Sequence, residues 1–108
     1  MQITAQMQCE VYRNRDDASG DMPYLLDVQA DLLSELKTRV VIPLIRAEAF
    51  GRRADRLHPR FELGGQAFVL ATHLIAAIRM RDLGAPIGSL RDQRDAVISA
   101  IDVLWSGV

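Results

Sequence analysis

The chain is poor in cysteine, lysine and tryptophan, with one of each, and each scarcity narrows what it does. A lone cysteine, Cys9, excludes an intramolecular disulfide and fits a reducing compartment. Long apolar runs are missing too, so no segment of the sequence reads as a transmembrane helix. The opening residues, Met1-Gln-Ile-Thr-Ala-Gln6, have neither the charged start nor the apolar stretch of a secretory leader. Together these features point to a cytoplasmic protein. A formal charge of −1 lacks the excess of one sign that would advertise nucleic acid or an anionic membrane as a partner.

Chemistry-bearing patterns are sparse as well. His58 and His73 are fifteen positions apart, with no helical or cysteine-paired ligand spacing, so surface or satisfied core histidines are expected rather than a metal site. Asp16, Asp17 and Asp21 lack the spacing of a calcium loop. Gly64-Gly65 has no phosphate-loop pattern around it. Arg52, Arg53 and Arg56 are interleaved with acids and read as a solvated face. No nucleophile–base constellation or paired-carboxylate signal stands out, so neither an enzyme nor a cofactor is expected.

What the chain does have is the material for one modest domain: 108 residues, 49% of them apolar and 25% charged. Cys9–Arg13 alternates apolar and polar residues, as a half-buried strand does, which makes Cys9 a small core hydrophobe in phase with Val11. Residues 14–23 are rich in turn formers and read as a loop. Tyr24–Ala30 returns to strand, with Leu26, Val28 and Ala30 on one side and Asp27 and Gln29 on the other. Residues 31–38 connect to the β-branched run 39–45, a strand in which Pro43 argues for a sheet edge or a bulge. Residues 46–60 read as loop or a short irregular helix. Gly64-Gly65 between Phe61–Leu63 and Gln66–Thr72 is a hairpin signal. The 66–81 segment, rich in alanine, fits either strand or buried helix; the preceding turn favours strand at its start. Residues 82–88, with two glycines and a proline, read as loop.

The last twenty residues form an amphipathic helix. Ser89 is placed as its N-cap with Asp92 three positions on, and Gly107 as its stop. Leu90, Val97, Ile98, Ile101, Leu104 and Trp105 recur at helical spacing as one stripe. Trp105 in the final turn either docks the helix on its own sheet or is presented to a partner. About five short strands and one terminal helix predict a small antiparallel barrel or sheet with the helix packed on it.

Several stretches, taken in order, resemble one family. They are Met7-Gln-Cys-Glu-Val-Tyr12, Asp27-Val-Gln-Ala-Asp-Leu-Leu33, Val41-Ile-Pro-Leu44, Leu57-His-Pro59, the glycine-turned hairpin and the ending Trp105-Ser-Gly-Val108. On these the chain is similar to the CcdB toxins of toxin–antitoxin pairs, from Met7 onward, which leaves residues 1–6 as an N-terminal extension of a single domain over 7–108. The resemblance implies a mainly β, five-stranded, SH3-like antiparallel barrel with a C-terminal helix, assembled as a homodimer. It implies a non-enzymatic poison that binds the A subunit of DNA gyrase, traps the cleaved-DNA complex, and is neutralised by a cognate CcdA-like antitoxin with a disordered tail. The target-binding positions would be Leu32, Leu33, Asp102, Trp105, Ser106, Gly107 and Val108; Arg13, Asn14, Arg15, Asp16 and Asp17 would help to hold the antitoxin. The ending departs from the family pattern. Trp105 stands where the family has Phe, Ser106 where it has Trp, and Asp102 replaces an amide. The alternatives are a CcdB-like binding protein that does not poison, and an endoribonuclease toxin of the related MazF type. The latter is disfavoured by the near-neutral charge and by the absence of that group's Gly-Asp-Ile opening and Arg-Pro loop.

Overall fold

A computed structural model describes residues 9–33 and 35–107. The proposed extension over residues 1–6, and Val108 among the expected target-binding residues, lie outside them. The elements are β1 (Glu10–Asn14), β2 (Tyr24–Asp27), β3 (Thr38–Arg46), α1 (Ala47–Phe50), β4 (Arg60–Leu63), β5 (Gln66–Leu70), β6 (Ala76–Arg79), β7 (Leu83–Ser89) and α2 (Arg94–Ser106). Short 3₁₀ turns occupy Asp31–Leu33, Thr72–Leu74, Met80–Asp82 and Arg91–Gln93. Among the described residues the fold is a single curled antiparallel sheet with a C-terminal helix, as expected, built from seven strands rather than five.

Strand β3 explains the curl and one of the two extra strands, β6. Its nine residues pair with β2 along one edge, Asp27 to Val41 through Tyr24 to Leu44. Along the other edge they change partner: Thr38–Val41 pair with β6, and Leu44–Arg46 pair with β5. Pro43 sits at that gap. It is therefore neither on a sheet edge nor at a bulge, as the sequence suggested, but where the ladder is interrupted and a missing N–H costs nothing. Its carbonyl still accepts the Ala71 N–H at 2.9 Å. The ambiguous 66–81 segment is thus two strands separated by a 3₁₀ turn, all laid along β3, and not a helix.

The residues read as loop at 82–88 form β7, which pairs with β1 from Asn14–Leu83 to Glu10–Ser89. Glycine there permits a close approach rather than a turn: a Cβ on Gly84 would lie 2.5 Å from the Arg13 carbonyl oxygen. The Gly64-Gly65 hairpin is as expected, with both glycines at positive φ (58° and 81°) and Leu63 facing Gln66 across it.

The helix begins later than its sequence signals indicate. The Ser89 hydroxyl accepts the Arg91 N–H at 3.0 Å, but the 3₁₀ turn at 91–93 has Leu90 at its N-cap and regular helix starts at Arg94 with Gln93 at its N-cap, so Ser89 does not cap the helix. Gly107 closes it in the left-handed conformation, donating to the Val103 carbonyl at 2.9 Å. The helix buries Val97, Ala100 and Ile101 against Val11, Leu26, Ile42, Leu44, Phe68 and Leu70 on the inner sheet face. Cys9 is fully buried in the same core.

Candidate functional site

The predicted apolar stripe of α2 divides into two. Val97, Ala100 and Ile101 face the core, whereas Ile98 and Trp105 are exposed, and Trp105 is 69% exposed. The first of the two readings of Trp105, a ring docked on its own sheet, does not fit this exposure. Positions 98, 101, 102 and 105 line one helix face, and that face forms one wall of an open groove of about 670 Å³. Val28, Gln29, Ala30, Leu33, Leu36, Thr38, Val40 and Ile75 form the rest. Leu32, on the same 3₁₀ turn as Leu33, is 66% exposed beside it, and Leu33 and Leu36 are exposed too. Trp105 and these leucines thus surround one predominantly apolar groove.

Polar side chains beneath the groove hold its Leu33 rim in place. The Asp27-Val28-Gln29 stretch explains itself here. Gln29 donates from Nε2 to the Leu33 carbonyl at 3.0 Å and accepts the Val40 N–H on Oε1 at 3.0 Å. Arg39 donates to the same Leu33 carbonyl at 3.3 Å and pairs through Nε with Asp27 at 3.3 Å. Asp27 also accepts the Gln29 N–H at 2.9 Å. The 3₁₀ turn that displays Leu32 and Leu33 is therefore anchored through one carbonyl to Gln29, just after β2, and to Arg39 on β3.

A small polar cleft of about 160 Å³ adjoins this platform, lined by Glu10, Tyr12, Asp27, Gln29, Ala30, Asp31 and Arg39. Burial pushes the Asp27 carboxyl above its ordinary range, more than the Gln29 N–H and Arg39 pull it down. Burial also raises the Tyr12 phenol, with the Asp27 and Glu10 charges adding to the effect. Arg39 is committed to Asp27 and the Leu33 carbonyl, so the chemistry visible here is that of a structural support. The Cys9 thiol is likewise raised by burial, which suits a core side chain and not a nucleophile.

Of the expected target-binding residues, Leu33, Asp102 and Trp105 meet in the groove, with Leu32 adjoining. Ser106 and Gly107 follow at the exposed helix end. The Ser106 hydroxyl donates back to the Asp102 carbonyl, so it is held within its own helix. Leu36, Ile75 and Ile98 are groove residues that the sequence does not single out: Ile98 recurs with the whole helix stripe, and Leu36 falls in a connection.

The expected antitoxin-binding residues form a separate, ordered feature. Arg13 and Asn14 end β1, and the loop after them is closed by hydrogen bonds rather than loose. Asn14 donates to the Met22 carbonyl at 2.9 Å, and Asp17 accepts from the Gly20 and Met22 N–H groups at 3.1 and 3.2 Å. Arg15 reaches the Arg81 carbonyl at 3.1 Å, and the Asp16 N–H bonds the Asn14 side chain. Asn14 and Asp16 line a second depression, with Leu25, Val41, Pro43 and Leu74. Leu25, Val41 and Pro43 alternate with the core residues Leu26, Ile42 and Leu44, so this depression is on the sheet face opposite α2. The two candidate surfaces thus lie on opposite faces of one sheet.

This architecture has a solved counterpart. The chain matches an endoribonuclease from Mycobacterial species, solved in complex with its cognate antitoxin, with a TM-score of 0.74 over 94% of this chain and 96% of that one. The two are 16% identical, so the likeness concerns the fold. The family model described as CcdB protein matches residues 8–107, and the chain belongs to the CcdB family.

Proposed function

We propose that this CcdB-family chain is the toxin of a toxin–antitoxin pair, and that it acts by binding the DNA gyrase A subunit and trapping the cleaved-DNA complex. The observation that carries this reading is the apolar groove at the end of α2, where Leu33 and Trp105 meet with Leu32 beside them. An exposed tryptophan flanked by leucines on an anchored turn has the composition of an interface hot spot. Trp105 takes the role of the displaced family aromatic, reaching the target from one residue earlier, while Ser106 contributes no anchor of its own. Two copies of the chain would associate as a symmetric dimer and bring both helix ends to one target. A CcdA-like antitoxin would occupy the depression beside Asn14 and Asp16 on the other face, so that it would engage the toxin without first displacing the target. The solved counterpart's complex with its own antitoxin supports an antitoxin partner for this architecture.

The reading is tested by measuring binding of the chain to the dimerisation region of the gyrase A subunit, with Leu33→Asp and Asp16→Arg as variants. Leu33→Asp should abolish that binding. Asp16→Arg should leave it intact and weaken antitoxin binding. Equal effects of both variants on gyrase would remove the groove from its role.

A further inference from the structure

His58 and His73, fifteen positions apart in the sequence, meet in the fold. His58 is buried in the connection between α1 and β4; His73 is exposed on the 3₁₀ turn at 72–74. Their rings touch through His58 Nε2 and His73 Nδ1 at 2.9 Å. Phe50, at the end of α1, packs edge-on against both, with ring centres 4.8 and 6.2 Å away.

The backbone decides which nitrogen carries each proton. Ala54 donates its N–H to His58 Nδ1 at 3.0 Å, so Nδ1 must be the bare acceptor. The neutral His58 ring then carries its proton on Nε2 and donates it to His73 Nδ1. His73 in turn keeps its own proton on Nε2. The turn is closed from the other side as well: the His58 N–H donates to the Ala54 carbonyl at 2.8 Å, and Arg53 donates to the His58 carbonyl at 3.0 Å. Two neutral rings in one tautomeric arrangement thus tie residues 53–58 to the turn at 72–74.

Every way of adding a proton breaks a bond. A proton on His58 Nδ1 faces the Ala54 N–H. A proton on His73 Nδ1 faces the His58 Nε2–H. Shifting the His58 proton to Nδ1 to accommodate it returns the conflict to Ala54. The surrounding charges oppose protonation too. Burial lowers the His58 affinity for a proton, and His73 and Arg53 lower it further. Among the described residues, no carboxylate lies within ion-pair distance of either ring; Asp55 pairs with Arg53 at 3.6 Å, and Glu48 is exposed on α1.

We propose that the His58–His73 pair is a proton-sensitive latch, which closes residues 53–58 onto the 72–74 turn when both rings are neutral and opens when the pair takes up a single proton. Open, the latch releases the turn that ends at Ile75, a residue of the groove wall. The arrangement also argues against a metal on His58 Nε2, because freeing that lone pair would move the ring proton to Nδ1, against the Ala54 N–H.

Nitrogen NMR of the histidine rings, together with hydrogen exchange of the Ala54 amide as a function of pH, tests this on the full chain. The expected result near pH 7.5 is an Nε2–H tautomer for both rings. Protection of Ala54, corrected for the intrinsic exchange rate, should fall about tenfold between about pH 7.5 and about pH 5.5 for one proton taken up on opening. The Ile42 amide in the central strand should keep its protection. In His58→Asn, whose side-chain oxygen still accepts from Ala54 but does not titrate, the fall should disappear. An Nδ1–H tautomer for His58, flat protection in the wild type, a parallel loss at Ile42, persistence of the fall in His58→Asn, or loss of the His58 Nε2–H signal on adding zinc would each overturn the latch.

Discussion

Trp105→Ala separates a core residue from a binding residue by magnitude. A fully buried tryptophan cut to alanine costs about 3–5 kcal/mol. Trp105 is 69% exposed, so roughly a third of its surface is covered, and the cost to folding should be only about 1–1.5 kcal/mol by the same scale. As an interface anchor, the same side chain would carry roughly 2–4 kcal/mol, or about a 30- to 900-fold change in Kd. The substitution should therefore weaken target binding much more than it weakens the fold. Urea unfolding reports the first quantity as a shift in midpoint at constant slope, and titration against the gyrase A dimerisation region reports the second. A folding loss of about 3–5 kcal/mol would instead place the ring in a packed environment in solution and rule out its part as an exposed anchor.

Two further outcomes follow from local geometry. Gly84→Ala would put a methyl group 2.5 Å from the Arg13 carbonyl oxygen and 2.9 Å from the Arg13 Cβ, so β7 must move off β1. The expected loss is about 1–3 kcal/mol in urea unfolding, with hydrogen exchange accelerated in β1 and β7 alone. For Asp27, the folded carboxyl binds its proton more readily than the unfolded one, so it adds stability at low pH that is lost as pH rises through its raised folded value. Comparing urea unfolding of wild type and Asp27→Asn from about pH 3 to about pH 7 should show the wild type gaining relative stability on acidification and levelling off near the ordinary carboxylate value of about 3.9.

Local chemistry was legible in the sequence wherever it acted locally. The Gly64-Gly65 turn, the apolar run of β3 and the Gly107 stop each depend on a few adjacent residues, and each is found where expected. Pairing between distant segments was not. Strand β7 was hidden because Gly84, Pro86 and Gly88 are turn residues by composition; only the close approach of Arg13 gives Gly84 its purpose. Pro43 signalled an interruption correctly, but the interruption is a change of partner in the central strand. The helix stripe foretold burial without distinguishing the core side from the groove side, since Val97 and Ile98 differ by one position. The role of the Asp27-Val28-Gln29 stretch, like the contact between His58 and His73, requires segments brought together only by the folded sheet.

DNA cleavage by gyrase in the presence of the chain reads out the poisoning proposed for the groove around Trp105. The wild type should accumulate covalently cleaved DNA, Trp105→Ala should not, and Ser106→Trp, which restores the family's Trp-Gly ending, should accumulate at least as much as the wild type. If none of the three traps cleaved DNA while all remain folded, gyrase is not the target of this surface.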